Sequence, residues 1–261
     1  MTGFHIIIPA RLASTRLPEK ALADLAGKPL VVRVWARAVA AGAESVHVAT
    51  DSERIAEVIR AAGGEVVMTA AEHDSGTSRL AEAANRLALG PDEIVVNVQG
   101  DEPAVPIDCL KQLAGLLAAR PSARMATLWV DIAERAQWAD PNVVKLVTRA
   151  DGCALYFSRA PIPARRGGGW PEGQARRHVG LYAYRASALA QWPRLPRSPL
   201  EESESLEQLR ALQAGWEIAC ERATEAIPPG VDTAEDLAAM CAHFAALEAE
   251  RESQQPPEDQ P

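Results

Sequence analysis

The sequence is sparing in several features that mark large classes of protein. Only four of its 261 residues are cysteine, Cys109, Cys153, Cys220 and Cys241, and no two form a C-x-x-C pair. A zinc knuckle and a dithiol redox motif are thereby excluded, and reduced, mostly buried thiols are expected. No apolar run approaches the roughly 20 residues that cross a bilayer, and the N-terminus has no charged leader followed by an apolar stretch, so a cytoplasmic location is expected. Positive charge is in deficit, with a formal net charge of -8, which argues against a general affinity for nucleic acid or anionic membranes. Any anionic substrate must therefore meet a local cluster of cations. Neither the P-loop motif G-x-x-x-x-G-K-S/T nor G-x-G-x-x-G occurs, so neither a P-loop nor a dinucleotide fold is supported. There is no internal repeat.

What is present is a globular composition, 48% hydrophobic and 24% charged, enough for a sizeable core. The length suits one α/β domain or a main domain carrying an inserted lobe, and the second is favoured. Phe4 to Pro9 is too short for a helix and rich in isoleucine, which predicts a strand buried on both faces. Helical spacing follows over Leu30 to Ala41, with Gly42 placed to end that helix. The rhythm repeats as strand Val46 to Ala49, helix Ser52 to Ala62, strand Glu65 to Met68, helix Ser78 to Leu89, strand Ile94 to Val98 and helix Pro106 to Ala119. Such alternation predicts an α/β fold with a doubly wound, mainly parallel sheet.

After the strand Met125 to Val130 the pattern changes. Val143 to Thr148 and Ala154 to Ser158 flank Asp151-Gly152, a hairpin dipeptide, and predict an inserted antiparallel lobe. Residues 162–177, rich in glycine and arginine, read as a mobile loop. Strand Val179 to Tyr184, helix Leu200 to Ala214, strand Glu217 to Cys220 and helix Ala234 to Glu250 complete the ordered chain. The expected division is a nucleotide-binding core over 1–132, the lobe over 133–215, a strand and helix completing the core over 216–250, and a disordered tail over 251–261.

Open parallel sheets bind ligands beyond the carboxyl ends of their strands. The loop leaving the first strand, PARLASTRLPEK, gathers Arg11, Arg16 and Lys20 among small residues whose backbone N–H groups stay accessible, an arrangement suited to a polyphosphate. By residue type alone it is also an ordinary basic surface loop. In VNVQGDEP the strand delivers Gln99, Gly100 and Asp101 into a turn, where Asp101 serves either as a turn residue or as a ligand for a hard cation such as Mg²⁺. GVDTAEDL places Asp232 before a T-x-x-D helix cap made by Thr233 and Asp236, with a second metal ligand and a surface residue as even alternatives for Asp232. HDSGTSRL opens a helix at Ser75 and Gly76, able to cap it and to read a base edge or an anion. HVGLYAY puts His178 and Tyr182 on one strand face, and LEQLR puts Glu207 and Arg210 one helical turn apart. Those last two pairs are candidates for an acidic sugar, or else a structural histidine and a surface ion pair.

Taken in order, IIIPARLASTRLPEKAL, HDSGTSRL, VNVQGDEP, ALYFSRAPIP, SPLE with LEQLR, and GVDTAEDL resemble the motifs of the 3-deoxy-manno-octulosonate (Kdo) cytidylyltransferase family, and the likeness extends to about residue 245. The resemblance implies a Rossmann-like nucleotidyltransferase fold, usually a homodimer, with Mg²⁺ as cofactor and CTP and Kdo as substrates for lipopolysaccharide biosynthesis. It implies that Ala10, Arg11, Arg16, Lys20, Ser75, Gly76, Arg79 and Gln99 bind the nucleotide and that Asp101 and Asp232 carry the metal. Arg16, Lys20, Asp101 and Asp232 are then the catalytic set, and Arg159, His178, Tyr182, Glu207 and Arg210 line the sugar pocket. The implied reaction is in-line attack of the Kdo anomeric hydroxyl on the α-phosphorus, with no protein nucleophile. A cytidylyltransferase for 8-amino-Kdo or sialic acid shares this logic, and a non-catalytic nucleotide-binding module is the alternative from another class. The chain departs from the family pattern between Pro163 and His178, where it reads ARRGGGWPEGQARR.

Overall fold

The computed structural model describes residues 3–254. In chain order its strands are β1 (His5–Pro9), β2 (Asp24–Leu25), β3 (Lys28–Pro29), β4 (Ser45–Thr50), β5 (Glu65–Met68), β6 (Ile94–Asn97), β7 (Met125–Asp131), β8 (Lys145–Thr148), β9 (Ala154–Ser158), β10 (Arg176–Arg185) and β11 (Ile218–Arg222). Its α-helices are α1 (Leu30–Val39), α2 (Glu53–Ala61), α3 (Gly76–Arg86), α4 (Ile107–Ala118), α5 (Arg135–Ala139), α6 (Ala186–Gln191), α7 (Pro199–Glu204), α8 (Gln208–Gln213) and α9 (Ala234–Gln254). The main sheet runs β11-β7-β10-β6-β1-β4-β5, with β8 and β9 attached beside β10, while β2 and β3 form a separate ribbon.

β1 is buried along its whole length because it runs between β4 and β6, parallel to both, with helices on each side. Alternation along the strands divides the core into two layers. Ile6 and Ile8 of β1, with Val48 and Val96, pack toward α1, α2 and α4, whereas Ile7, Ala49 and Val95 pack toward α3, α6 and α8. This is the doubly wound α/β arrangement. Local signals place the helix ends: Ser52 caps α2, Ser75 caps α3 in a box with Ser78, and Gly42 adopts φ 69° beyond α1. Cys109, Cys153 and Cys220 are buried and unpaired, and Cys241 is partly covered. No helix among the described residues is long and apolar enough to cross a membrane.

The structure departs from the sequence reading in three places. β10, drawn from the 133–215 stretch expected as a lobe, lies inside the main sheet, antiparallel to both β6 and β7. Its ten residues are long enough to do both jobs: Arg176 and Arg177 pair with the β8–β9 hairpin, and Tyr182 to Arg185 pair with β6. The helix expected over Leu200 to Ala214 is broken into α7 and α8 at Ser205, which takes a left-handed φ of 50°. Glu204 turns away at that break to accept bonds from Ser158 Oγ (2.6 Å) and the Arg159 N–H (2.8 Å), so one straight helix would lose both. Finally, α9 continues through Gln254, four residues into the expected tail, whereas 255–261 lie outside the described residues. The loop before β10 is anchored by Trp170, which packs edge-on against Trp138 at 6.0 Å.

Candidate active site

Three chain segments, those that follow β1, β6 and β11, meet beyond the carboxyl ends of β1 and β6. The first follows β1 and ends in a 3-10 turn over Lys20–Leu22. Glu19 stands in a left-handed conformation (φ 52°) and pairs outward with Arg54, which directs the next residue, Lys20, inward. The second is the Gln99–Asp101 turn. Gly100 lets it approach the end of β1, since a Cβ there would come within 3.0 Å of the Pro9 carbonyl oxygen. The third precedes α9 and is tied to the second by the Val231 N–H, which donates to the Asp101 carbonyl at 2.8 Å. Val231 itself is buried in the α1–α4 layer, so packing and hydrogen bonding together hold the two aspartates near each other.

Lys20 joins them. Its Nζ donates to Asp101 Oδ2 at 2.6 Å and to Asp232 Oδ1 at 2.9 Å, and Arg16 Nη2 reaches Asp232 Oδ2 at 3.0 Å. Burial works against the ammonium charge, but the two carboxylates outweigh it and hold the Lys20 pKa above its ordinary value. Asp101 and Asp232, 131 positions apart in sequence, therefore share one cation. They border a cavity of about 300 Å³ also lined by Ala10, Arg11, Ser75, Gly76, Arg79 and Gln99. Arg11 has no ion pair among the described residues and is exposed toward that space.

Opposite the cationic loop lies the turn that opens α3. His73 Nδ1 is 3.1 Å from Ser78 Oγ, and its Nε2 meets Glu82 Oε2. Burial opposes ionisation of Glu82, yet bonds from His73, the Ala70 N–H and Arg86 prevail and lower its pKa to about 2. Arg79 is almost wholly buried, and its guanidinium pairs with Asp51 at 3.1 Å and donates to the Ala70 carbonyl at 3.3 Å. The turn is thus braced from below, leaving the cap residues Ser75 and Gly76 at the cavity wall.

The five residues assigned to the sugar do not line this cavity. His178 Nε2 lies 3.1 Å from the Thr127 hydroxyl, and its ring packs against Phe157 (4.9 Å) and Tyr182 (5.3 Å). Burial, helped by the Arg177 charge, pulls its pKa down to about 3, so it is neutral. Glu207 Oε2 accepts from Thr77 Oγ1 at 2.6 Å, which brings α8 against the start of α3. Glu207 Oε1, the Tyr182 hydroxyl and Asn97 Oδ1 are all buried without a hydrogen-bond partner among the described residues. Arg210 does not pair with Glu207. It forms a fork with Glu201 (Nε–Oε2 2.8 Å) and lies over Trp192, because the break at Ser205 swings α8 around. Arg159 donates to the backbone carbonyls of Pro141 (3.0 Å) and Glu204 (2.7 Å), bracing the turn between α7 and α8.

Sequence reasoning passed over Asp51, the pairing of His73 with Glu82, and Asn97, and it took Thr77 as an alternative cap to Ser75, whereas Ser75 caps α3 and Thr77 bonds Glu207. Asp51 and Asn97 stand at the carboxyl ends of parallel strands, the position that had pointed to Asp101. The pairing of His73 with Glu82 had no such signal, because nine residues separate them across a loop and a helix turn.

A parallel sheet presenting a cationic loop and two aspartates at its carboxyl edge is the framework of a nucleotidyltransferase, and the chain belongs to the cytidylyltransferase family, whose model matches residues 5–221. Within it, similar proteins are 3-deoxy-manno-octulosonate cytidylyltransferases. That of Nitrosococcus oceani is 50% identical over 243 residues (90% of this chain, 94% of the relative), and that of Hahella chejuensis is 50% identical over 244 (91% and 96%). That of Francisella tularensis subsp. novicida is 45% identical over 241 residues (91% and 96%). A solved structure of CMP:2-keto-3-deoxy-manno-octonic acid synthetase complexed with CTP superposes with a TM-score of 0.87 at 40% identity, covering 94% of this chain and 100% of its own.

Proposed function

We propose that this chain transfers the cytidylyl group of CTP to the anomeric hydroxyl of Kdo, releasing CMP-Kdo and pyrophosphate for lipopolysaccharide biosynthesis. The observation that carries the reading is the bridge from Lys20 to both Asp101 and Asp232 inside the cavity, in a chain half identical to enzymes of that name over nine-tenths of its length.

The chemistry asks for position and charge rather than a protein nucleophile. Arg11, Arg16 and Lys20 bind the triphosphate, and Arg16 and Lys20 neutralise the charge that grows on the departing pyrophosphate. Ser75 and Gly76, on the braced α3 turn, read the cytosine edge, and Gln99 lies beside Gly76, its amide oxygen 3.6 Å from where a Cβ there would stand. Arg79 acts from beneath by holding that turn. Two carboxylates that converge on one ammonium are hard oxygen donors of the kind that bind Mg²⁺ together with substrate phosphates, so Asp101 and Asp232 would hold that cofactor. When bound it neutralises phosphate charge and acidifies the attacking hydroxyl. The unpartnered Glu207 Oε1, Tyr182 hydroxyl and Asn97 Oδ1 supply buried polar atoms for the acceptor's hydroxyls. In this reading Arg210 and Arg159 position the acceptor wall through Glu201 and Glu204. A cytoplasmic homodimer is part of the proposal.

The test is pyrophosphate release with each of the four ribonucleoside triphosphates, crossed against Kdo, 8-amino-Kdo and sialic acid. Release with CTP and Kdo alone supports the assignment. Equal release with another acceptor assigns the sugar elsewhere, and no release with any pair refutes the enzyme.

A further inference from the structure

At the opposite edge of the sheet, where β4, β1 and β6 begin, a second group of potential ligands converges. The order of these strands places the residue before β4, the first residue of β1 and the residue before β6 side by side, and these are Glu44, His5 and Glu93. His5 Nε2 lies 3.7 Å from Glu44 Oε2 and 3.5 Å from Glu93 Oε1, and the three ligand atoms all fall within 4.8 Å of one another. Among the described residues no other three His, Cys, Asp or Glu side chains meet so closely.

We infer that His5, Glu44 and Glu93 form a binding site for one borderline divalent transition cation of the Zn²⁺ class, separate from the nucleotide cavity. Three features argue for a built site. The His5 side chain is 10% exposed, and its Nε2 has no hydrogen bond among the described residues and faces the two carboxylates. The other ring nitrogen, Nδ1, is 2.8 Å from Ser45 Oγ, a hydroxyl able to accept from Nδ1–H and so leave the Nε2 lone pair to a cation. The second oxygen of Glu93 accepts from the Gly90 N–H, which orients that carboxylate toward His5.

The spacings suit the ion. Tetrahedral Zn²⁺, with bonds of about 2.0–2.2 Å, sets neighbouring ligand atoms roughly 3.3–3.6 Å apart, close to the distances from His5 Nε2. One imidazole with two carboxylates also favours a transition metal over Mg²⁺, which takes oxygen ligands. The carboxylates are half exposed, so a fourth position opens to solvent. β1 separates this group from the nucleotide loop by five residues, about 16 Å of strand, so the two sites can be tested independently.

Untagged, chelator-stripped full-length protein is titrated with Zn²⁺ by calorimetry in saturating Mg²⁺. The parent is expected to bind one Zn²⁺ at this site, E44Q/E93Q to lose at least tenfold in affinity, and Ser45→Ala to lose roughly tenfold through the freed ring. D101N/D232N is expected to keep the binding. Circular dichroism checks that E44Q/E93Q, altered only at half-exposed side chains, remains folded. Visible absorption of the Co²⁺-loaded parent, altered in His5→Gln, supports imidazole ligation. Identical titrations for the parent and E44Q/E93Q, no binding by the parent, or loss only in D101N/D232N each overturn the proposal, and none of these results bears on cytidylyl transfer.

Discussion

Replacing Lys20 by methionine keeps most of the side chain's volume and removes its charge, leaving Asp101 and Asp232 without their shared counter-ion. Arg16 remains on Asp232 alone, and it is 65% exposed. The lost bond to Asp101 joins groups that are 17% and 29% exposed, so it is worth about 1.5–2 kcal/mol as a charge-assisted hydrogen bond. The bond to Asp232, 43% exposed, is screened to under about 1 kcal/mol. Together they predict a loss of about 2–3 kcal/mol in the ligand-free protein, roughly 4–10 °C in Tm for a chain of this size. The raised Lys20 pKa contributes stability that is complete below its unfolded value and is lost only as pH rises beyond the ordinary lysine range, so this difference stays constant from pH 6 to 9. Millimolar Mg²⁺ should recover part of the Tm, since a divalent cation relieves the carboxylate pair. Turnover should not recover, because loss of one preorganised cation at the leaving group costs about 10²–10³ in kcat. Pyrophosphate release at 20 °C, with melting curves in parallel, separates the effects. Turnover within threefold of the parent in a folded Lys20→Met protein would refute a phosphate role for this residue.

Asp101→Asn and Asp232→Asn should each lower kcat at least 100-fold with unchanged far-ultraviolet circular dichroism, and full activity in either variant removes that residue from the metal assignment. Glu207→Gln keeps the shape but weakens the acceptor of the Thr77 bond, so the KM for the sugar should rise about tenfold while the KM for CTP stays within twofold. An effect on CTP alone would move Glu207 to the nucleotide side. His178, neutral down to about pH 3 when folded, is protonated near 6.5 when unfolded, so the unfolded state binds the extra proton between those values and stability falls as pH falls through that window. Its share approaches about 1.4 kcal/mol per pH unit, and His178→Phe should flatten the slope of unfolding free energy between pH 6 and 4 by about that amount, measured by urea denaturation. An unchanged slope shows that His178 is not the group titrating.

Much of this protein is written in short-range chemistry. Isoleucine runs buried on both faces, serine caps at Ser52 and Ser75, and Gly42 after α1 report backbone preferences that act within a few residues, so the alternating α/β order was legible along the chain. The cationic loop and the Asp101 turn were legible for a related reason, because a parallel sheet presents the carboxyl ends of its strands along one edge. Tertiary structure alone decided which distant groups meet. Nothing near Asp232 in sequence shows that the Val231 N–H reaches the Asp101 carbonyl, or that Lys20 spans both carboxylates. Spacing alone paired Arg210 with Glu207, but the turn at Ser205, held by Glu204, gives Arg210 to Glu201 and Glu207 to Thr77. The place of β10 between β6 and β7 was equally hidden, since strand pairing joins residues far apart in the chain and the local pattern names a strand without naming its neighbours.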